Sequence, residues 1–361
     1  MTLIDNPDQQ ALAESVRKLV AARSPLTKVR EVALSDQSYD ADVWRLVCEL
    51  GVPGLAIPEQ YGGAGGTWAD LFIVLRELGA GLVQTPLFAS SVLAGGALLA
   101  SDDEELKSTW LPRLADGSTI GALAVSEEND ATWGSQPSTV TAADGKVSGT
   151  KVAVLNGAEA DLLIVQASDG LYLVQTQQSG VTIAGDEVLD LTRSIATVRF
   201  DGAEGHRLAG TADVVLDAVI DLANVALAAE QSGAIKSCID ITAAYANMRY
   251  SFGLPIGAYQ GVKHKLADDY TEWSLVDASV RVASEALTSG ASTASAAAAA
   301  ARVLASPAYT RAAKNMMLLH GGIGFTWEHD AHLFYRNAVT GKVLLGGPLF
   351  QQDRLADKLG V

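Results

Sequence analysis

Histidine and cysteine side chains are the first residues to consider for metal binding, proton transfer or nucleophilic chemistry. The 361-residue sequence contains five histidines and two cysteines. Only His329 and His332 lie close together, and no third ligand stands beside them. Metal binding is therefore not predicted, and hydrogen-bonded or solvated histidine is expected. Cys48 and Cys238 are far apart, which predicts neither a disulfide framework nor a metal-binding knuckle.

Motifs for phosphate binding or acyl transfer are also missing from the sequence. The glycine-containing run at 62–66 lacks the spacing and the strand–helix context of a dinucleotide fingerprint. The SGTK segment at 148–151 lacks the preceding glycine of a P-loop, and no G-x-S-x-G elbow occurs. Residue chemistry alone indicates only a protein of helices and strands that could bind a ligand.

Charge and composition exclude several classes of partner. The sequence has 26 Lys and Arg against 42 Asp and Glu, a formal net charge of −16. Such a surface repels phosphate backbones and anionic lipids, so neither nucleic acid nor a membrane is an expected partner. The apolar stretches are interrupted by charges, Gly or Pro, and the amino end lacks a signal-peptide pattern. We expect a cytoplasmic protein.

Three blocks of different periodicity must position any functional residues. Residues 1–118 are predicted to form a helical domain. Residues 119–208 contain short Val-, Ile-, Leu- and Thr-rich runs separated by Asp-Gly pairs, typical of an antiparallel β-barrel or sandwich. Residues 209–361 are helical again, and long helices joined by short loops predict a bundle. The predicted fold class is α+β.

Individual helices are indicated by capping residues and apolar spacing. Thr67 is the predicted N-cap of a helix over 68–78, and another helix is predicted over 90–99. The alanine run at 296–301 is interpreted as part of a close-packed helix, because small side chains let neighbouring helices approach.

Two segments of the sequence resemble the acyl-CoA dehydrogenase family of flavoproteins. They are RYSFGLPIGAYQGVKHKLAD at 249–268 and HGGIGFTWEHDAHLFYR at 320–336. Weaker matches are GVPGLAIPEQYGG at 51–63, LPRLADG at 111–117 and VSGTKVAVLNGAEADLLIVQA at 147–167. The resemblance covers nearly the whole chain. It implies the family's architecture: a helical domain, a β domain and a four-helix bundle.

The resemblance also implies a reaction, the FAD-dependent α,β-desaturation of an acyl-CoA thioester. In this family a carboxylate removes the α-proton, and a hydride passes from the β-carbon to the flavin N5. An electron-transfer flavoprotein then reoxidises the cofactor. The protein supplies placement, polarity and exclusion of water, while the flavin carries the redox chemistry. The family's flavin lies between two subunits, so an oligomer is implied.

Seven residues match FAD-binding positions of the family: Ser126, Arg249, Phe252, Gln260, Gly321, Gly322 and Gly324. Arg249 matches an arginine that reaches the flavin diphosphate of the neighbouring subunit, and a guanidinium suits phosphate oxygens. The three glycines match a loop whose backbone passes close to that diphosphate. Phe252 and Gln260 match positions near the adenine or ribose, and Ser126 matches a hydroxyl at the flavin ring. The same seven residue types also occur in proteins without a cofactor. They would then form an ion pair, a core position, an exposed surface or a plain turn.

The family's catalytic base is missing from both of its usual positions. The glutamate of a Y-E-G-T-like segment falls at Leu345, and the alternative position on the first bundle helix falls at 223–224, which reads Ala-Asn. Glu230 lies about two turns further on and is a candidate for a displaced base or a polar contact within the bundle. The flavin-flanking aromatic is replaced by Ala153, and the glutamine before the HGG turn by Leu318.

Three functions remain open for a chain without the usual base, which contributes about 10²–10⁴-fold to such reactions. The chain can be one subunit of a heteromer, which the resemblance implies is a heterotetramer, in which a related chain brings the base. It can be a homomeric dehydrogenase that uses Glu230. It can also be a non-catalytic binding or scaffold subunit. Some heteromeric members of the family act on bulky thioesters such as steroid side chains, and the sequence leaves open which acyl group is used.

Overall fold

The amino-terminal part of the chain is helical. The computed structural model describes residues 6–128, 133 and 137–361. The helices of this part are α1 (Pro7–Arg23), α2 (Leu26–Ala33), α3 (Ala41–Glu49), α4 (Trp68–Ala80), α5 (Gly96–Ala100) and α6 (Glu104–Ala115). Thr67 caps α4 as predicted: its hydroxyl accepts from the backbone N–H of Asp70, whose carboxylate accepts from the backbone N–H of Thr67.

A π-helix, Phe88–Gly95, and α5 together occupy the segment in which a helix was predicted over 90–99. All residues of the π-helix are buried. The Ser91 hydroxyl donates to the carbonyl oxygen of Pro53 at 3.0 Å, and the Ser90 hydroxyl accepts from the N–H of Gly121 at 3.2 Å. The predicted helix is confirmed, and local sequence preference does not separate a π-helix from an α-helix here. Contacts with distant backbone accompany the wider turn.

The middle part consists of two sheets in the described residues, each with four strands. The first contains, in spatial order, β1 (Gly121–Ala124), β4 (Leu162–Ala167), β5 (Gly170–Gln175) and β8 (His206–Arg207). The second contains β2 (Thr141–Ala143), β3 (Lys146–Leu155), β7 (Ile195–Glu204) and β6 (Val181–Gly185). Buried side chains from both sheets, such as Val147 and Leu163, form one core between them.

One strand pair departs from the predicted antiparallel pattern. β1 and β4 are parallel, with Gly121 opposite Leu162. A parallel pair needs a long crossover connection, and the chain supplies it by building β2 and β3 of the other sheet between these two strands. The sandwich is therefore mixed rather than wholly antiparallel.

The carboxyl-terminal part is a helical bundle. Its helices are α7 (Ala212–Met248), α8 (Gln260–Ser289), α9 (Ala294–Leu319), α10 (Ala331–Val343) and α11 (Pro348–Leu359). A short hairpin of β9 (Tyr250–Ser251) and β10 (Leu254–Pro255) joins α7 to α8. Ala298, Ala299 and Ala301 are buried in α9, as the close-packing interpretation predicted. Within the described residues, no helix combines the length and apolar character needed to cross a membrane.

Two glycines let α4 and α7 cross at very short range. A Cβ atom on Gly79 would lie 2.3 Å from the carbonyl oxygen of Glu230. A Cβ atom on Gly233 would lie 1.9 Å from the carbonyl oxygen of Arg76. This crossing joins the bundle to the amino-terminal helices and sets the position of Glu230.

Candidate functional site

One end of the bundle collects most of the residues predicted to bind FAD. α7 ends there, α8 begins there, and α9 returns to the same end, because consecutive bundle helices run in opposite directions. The hydroxyl of Tyr245 in α7 donates to the carbonyl oxygen of His320, just after α9, at 3.2 Å. Arg249, Gln260 and Gly321 therefore share this end of the bundle.

The polar and aromatic residues at this end face solvent in the single chain. Arg249 is exposed, and its side chain has no hydrogen bond or ion pair to any residue that the structure describes. Phe252 is 97% exposed at the tip of the β9–β10 hairpin, with φ +50°, so it is not a core residue. Gln260 is exposed at the first position of α8. Such side chains are available to a molecule that binds against this surface.

The glycine turn follows α9 as a 3₁₀ turn over Gly321–Phe325. Gly321 has φ +66°, a conformation that favours glycine. A Cβ atom on Gly324 would lie 2.4 Å from the carbonyl oxygen of Met317, whereas Gly322 is exposed with open space around it. Two of the three glycines are thus required by the backbone itself. The turn also presents bare backbone to solvent, which suits close approach of a phosphate group.

The two positions at which the resemblance implies a base, Leu345 and Asn224, are joined through Gln351. The side-chain amide of Asn224 donates to the Gln351 side-chain oxygen at 2.9 Å, and the Gln351 amide donates to the carbonyl oxygen of Leu345 at 3.0 Å. Asn224 and Gln351 are buried. Leu345 has φ +57°, which leucine rarely adopts. All three side chains are neutral, and none can act as a carboxylate base.

A buried arginine holds the segment that contains Leu345. Arg302 in α9 donates through Nη2 to the carbonyl oxygens of Gly341 at 2.6 Å and Leu344 at 3.0 Å, and its Nη1 contacts Ser306. Burial and the charge of Arg193 lower the pKa of Arg302 to about 10, so it is cationic at neutral pH. The carbonyl oxygens at the end of α10 supply the compensating negative potential.

Arg302 is not among the residues predicted from the sequence to shape the site. The available signal was a single arginine directly after the alanine run of α9. A charged residue at a close-packed position has to find polar partners. The sequence does not tell which backbone carbonyls these are.

Glu230 forms an ion pair with Arg193 at 2.7 Å. Arg193 lies between β6 and β7, so this contact is not within the bundle, as one interpretation expected, but between the bundle and the middle part. Arg193 also lies 3.5 Å from the buried carboxylate of Asp190. Burial opposes the charge of Arg193, but the Glu230 and Asp190 carboxylates raise its pKa. The Glu230 carboxylate is therefore paired with the Arg193 guanidinium.

A small cavity lies beside this ion pair. Its volume is about 40 Å³, and polar lining residues include Ser38, Thr85, Asn156, Thr192 and Asn337. This space accommodates a few water molecules. It is far below the several hundred Å³ typical of pockets that enclose an organic ligand. The cavity as it stands does not admit an acyl chain.

Backbone strain is concentrated around these features. The described non-glycine residues with positive φ are Leu82, Asp144, Ala153, Asn156, Phe252 and Leu345. Leu82 and Asn156 line the small cavity. Ala153 and Leu345 occupy the positions at which the resemblance implies a flavin-flanking aromatic and a base. Left-handed residues of this kind often cluster at functional sites, because the surroundings must hold them there.

The positions predicted near the flavin ring offer little to an aromatic cofactor. Ser126 follows β1, is partly buried, and its carbonyl oxygen accepts from the N–H of Val152 at 3.0 Å. Ala153 has no aromatic face, and Leu318 is 47% exposed without an amide. The loop after Ser126 includes 129–132 and 134–136, which lie outside the described residues. Among the described residues, no His, Cys, Asp or Glu group is arranged to hold a metal ion.

Comparison with protein-family models assigns both ends of the chain. Residues 6–118 match the model described as "Acyl-CoA dehydrogenase, N-terminal domain", and residues 212–359 match "Acyl-CoA dehydrogenase, C-terminal domain". The chain is 37% identical to "Acyl-CoA dehydrogenase IpdE2" of Mycobacterium tuberculosis, over 94% of each chain. It is 36% identical to the protein of the same name from Mycolicibacterium smegmatis, over 96% of this chain and 97% of the relative.

Solved structures of similar fold include assemblies named for two chains. The ChsE4-ChsE5 complex of Mycobacterium tuberculosis aligns with a TM-score of 0.90 and 27% identity, over 100% of this chain and 99% of that chain. The Tcur3481-Tcur3483 steroid ACAD variant aligns with a TM-score of 0.87 and 28% identity, over 98% of each chain.

Proposed function

Because the chain belongs to the acyl-CoA dehydrogenase family, we propose that it is one subunit of a heteromeric, FAD-dependent acyl-CoA dehydrogenase. A related chain supplies the catalytic carboxylate, and an electron-transfer flavoprotein accepts the electrons. The observation that carries this proposal is the neutral chain of contacts from Asn224 through Gln351 to Leu345. The two positions at which the resemblance implies a base meet there without an ionisable group.

The bundle end has the features needed to hold the diphosphate and adenine end of the cofactor. Arg249 would bind phosphate oxygens, the glycine turn would let the diphosphate approach the backbone, and Gln260 and Phe252 would contact the adenosine. The exposed guanidinium of Arg249 and the exposed backbone of Gly322 fit such a group. When bound, FAD supplies hydride acceptance from the substrate β-carbon. Ala153 and Leu318 leave much of the ring environment to the partner, with Ser126 as a contact from this chain.

The cavity beside Glu230 also supports a complex in which the partner chain completes the active site. Its volume of about 40 Å³ and the Arg193–Glu230 ion pair leave no room for an acyl chain at this position. This supports a complex in which the thioester binds on the partner. Similarity to two-chain assemblies, one of them named as a steroid enzyme, supports a heterotetramer and makes steroid-derived CoA thioesters the first substrates to test.

The proposal is tested by purifying the chain alone and together with a related chain that has a glutamate at the position of Leu345. The chain alone is expected to show little visible flavin absorbance and no acyl-CoA oxidation in a dye-reduction assay. The co-purified pair is expected to be yellow and active. Robust turnover by the isolated chain contradicts the proposal, and a colourless pair favours the non-catalytic scaffold.

A Glu230→Gln substitution distinguishes the heteromer from the homomeric alternative. In the assembled pair, turnover is expected to stay within about twofold of the unsubstituted complex, because the partner provides the base. If Glu230 is the base, turnover falls by about 10²-fold or more while flavin stays bound. Steady-state rates and flavin content, measured on the same preparation, separate these results.

A further inference from the structure

A cluster of imidazole side chains lies directly behind the glycine turn Gly321–Phe325. We propose that His320, His329 and His332 form an acid-sensitive latch, which holds the turn while the three rings are neutral and releases it when they are protonated. We call these three residues the histidine latch. The latch is a property of this chain alone, and only its consequence for FAD rests on the proposed function.

His320 connects the turn to two helices. Its ring lies 4.3 Å from that of Tyr245 in a stacked arrangement and 4.3 Å from that of His329. Its Nδ1 is 2.7 Å from the carbonyl oxygen of Met316. Because a carbonyl only accepts, Nδ1 carries the hydrogen and the neutral ring is the Nδ1–H tautomer. Protonation would add a full charge to this buried ring.

His329 caps the first turn of α10. Its Nδ1 accepts from the backbone N–H of Ala331 at 3.1 Å, so Nδ1 must be free of hydrogen. Protonation places a hydrogen on this nitrogen and breaks the bond. It also places a positive charge at a helix N-terminus, where the helix dipole opposes it.

His332 is buried within α10. Neither of its ring nitrogens has a hydrogen-bond partner among the described residues. Its ring meets that of Trp327 edge-on at 4.6 Å. A protonated ring here would be a buried cation without an acceptor, which is strongly unfavourable.

The charged groups around the latch do not compensate for protonation. Arg30 of α2 pairs with Asp330. The Asp330 carboxylate raises the pKa of His329 and His332, but burial and the neighbouring positive charges outweigh it. Arg336 of α10 lies over the Trp327 ring at 5.0 Å. Glu328 is the other acidic group of the segment, and it is exposed. The two arginines face the latch with positive charge.

These surroundings keep all three rings neutral in the folded chain. Burial is the largest factor that lowers the pKa of each histidine. The pKa of His329 is lowered further by His320 and that of His332 by Arg336. Below a pH of about 6.5, the unfolded chain binds protons that the folded chain does not. The free energy of unfolding therefore falls as the pH falls through this range.

The test compares thermal unfolding of the purified chain between about pH 8 and pH 5. His329→Asn keeps a side-chain acceptor for the α10 cap but cannot be protonated, so the acid-induced fall in midpoint is expected to shrink to about half. His332→Phe removes the buried unpartnered imidazole and is expected to raise the midpoint at acid pH. The control His264→Asn, exposed in α8, is expected to leave the acid dependence unchanged. An acid dependence that neither latch variant reduces would overturn the proposal.

Flavin retention by the assembled pair is measured in parallel by ultrafiltration at the same pH values. Release of flavin on acidification, reduced in His329→Asn, supports action of the latch on the cofactor turn. If the chain shows the expected acid dependence but flavin retention does not follow it, the latch stands and the assignment of the glycine turn to FAD fails. If acidification releases flavin but the chain lacks the expected acid dependence of unfolding, the latch is wrong and the cofactor assignment stands.

Discussion

A Gly233→Ala substitution is expected to destabilise this chain strongly. The new Cβ atom would lie 1.9 Å from the carbonyl oxygen of Arg76 and 2.9 Å from the backbone nitrogen of Ala80. Both obstacles are backbone atoms of α4, so no side chain can rotate away. Overpacking in a core costs about 1–3 kcal/mol and occasionally more. Since two long helices must separate here, we expect a loss of at least about 3 kcal/mol.

The yield of folded protein and its urea unfolding midpoint measure this effect. Gly261→Ala is the matched control, because Gly261 is exposed in α8 with nothing within 4 Å of its added Cβ atom. That change is expected to be neutral or to stabilise the helix by up to about 1 kcal/mol. A Gly233→Ala chain with the unfolding midpoint of the original protein is incompatible with the close crossing of α4 and α7.

An Arg302→Met substitution is expected to destabilise the chain by about 4 kcal/mol. Methionine fills part of the space but cannot donate hydrogen bonds, so the carbonyl oxygens of Gly341 and Leu344 would be left without their donor. Each buried polar group that loses its partner costs about 1–3 kcal/mol, and the Ser306 contact is lost as well. The connection between α10 and α11, which contains Leu345, should loosen first.

Urea unfolding of the variant gives the change in free energy directly. Arg45→Met is the control, because Arg45 and Glu49 form a solvent-exposed pair one helical turn apart. Such pairs contribute about 0.5 kcal/mol or less. If Arg302→Met were as mild as this control, Arg302 would not be the residue that holds the segment around Leu345.

Much of the architecture was predictable because it depends on neighbours in the sequence. The cap at Thr67 and the alanine run of α9 are local patterns, and the structure confirms both. The glycine turn at Gly321–Gly324 was also recognisable from its motif. The positive φ of Gly321 and the close backbone contact at Gly324 both favour glycine, in agreement with the sequence.

Two features that the sequence did not predict concern choices that local pattern leaves open. The parallel pairing of β1 with β4 depends on how the chain crosses between two sheets. The π-helix at Phe88–Gly95 depends on contacts of Ser90 and Ser91 with distant backbone. Local propensity does not separate the alternatives in either case, so packing selects between them.

The family, the order of helices and strands, and the absence of an acidic side chain at position 345 are evident from the sequence alone. Packing in three dimensions is what joins Asn224 to Leu345 through Gln351, brings Arg302 to the carbonyl oxygens of Gly341 and Leu344, and pairs Glu230 with Arg193. Asn224 and Gln351 are 127 residues apart in the chain. Contacts over such separations leave no periodic trace in the sequence, because they arise from the packing of whole helices rather than from the preferences of adjacent residues.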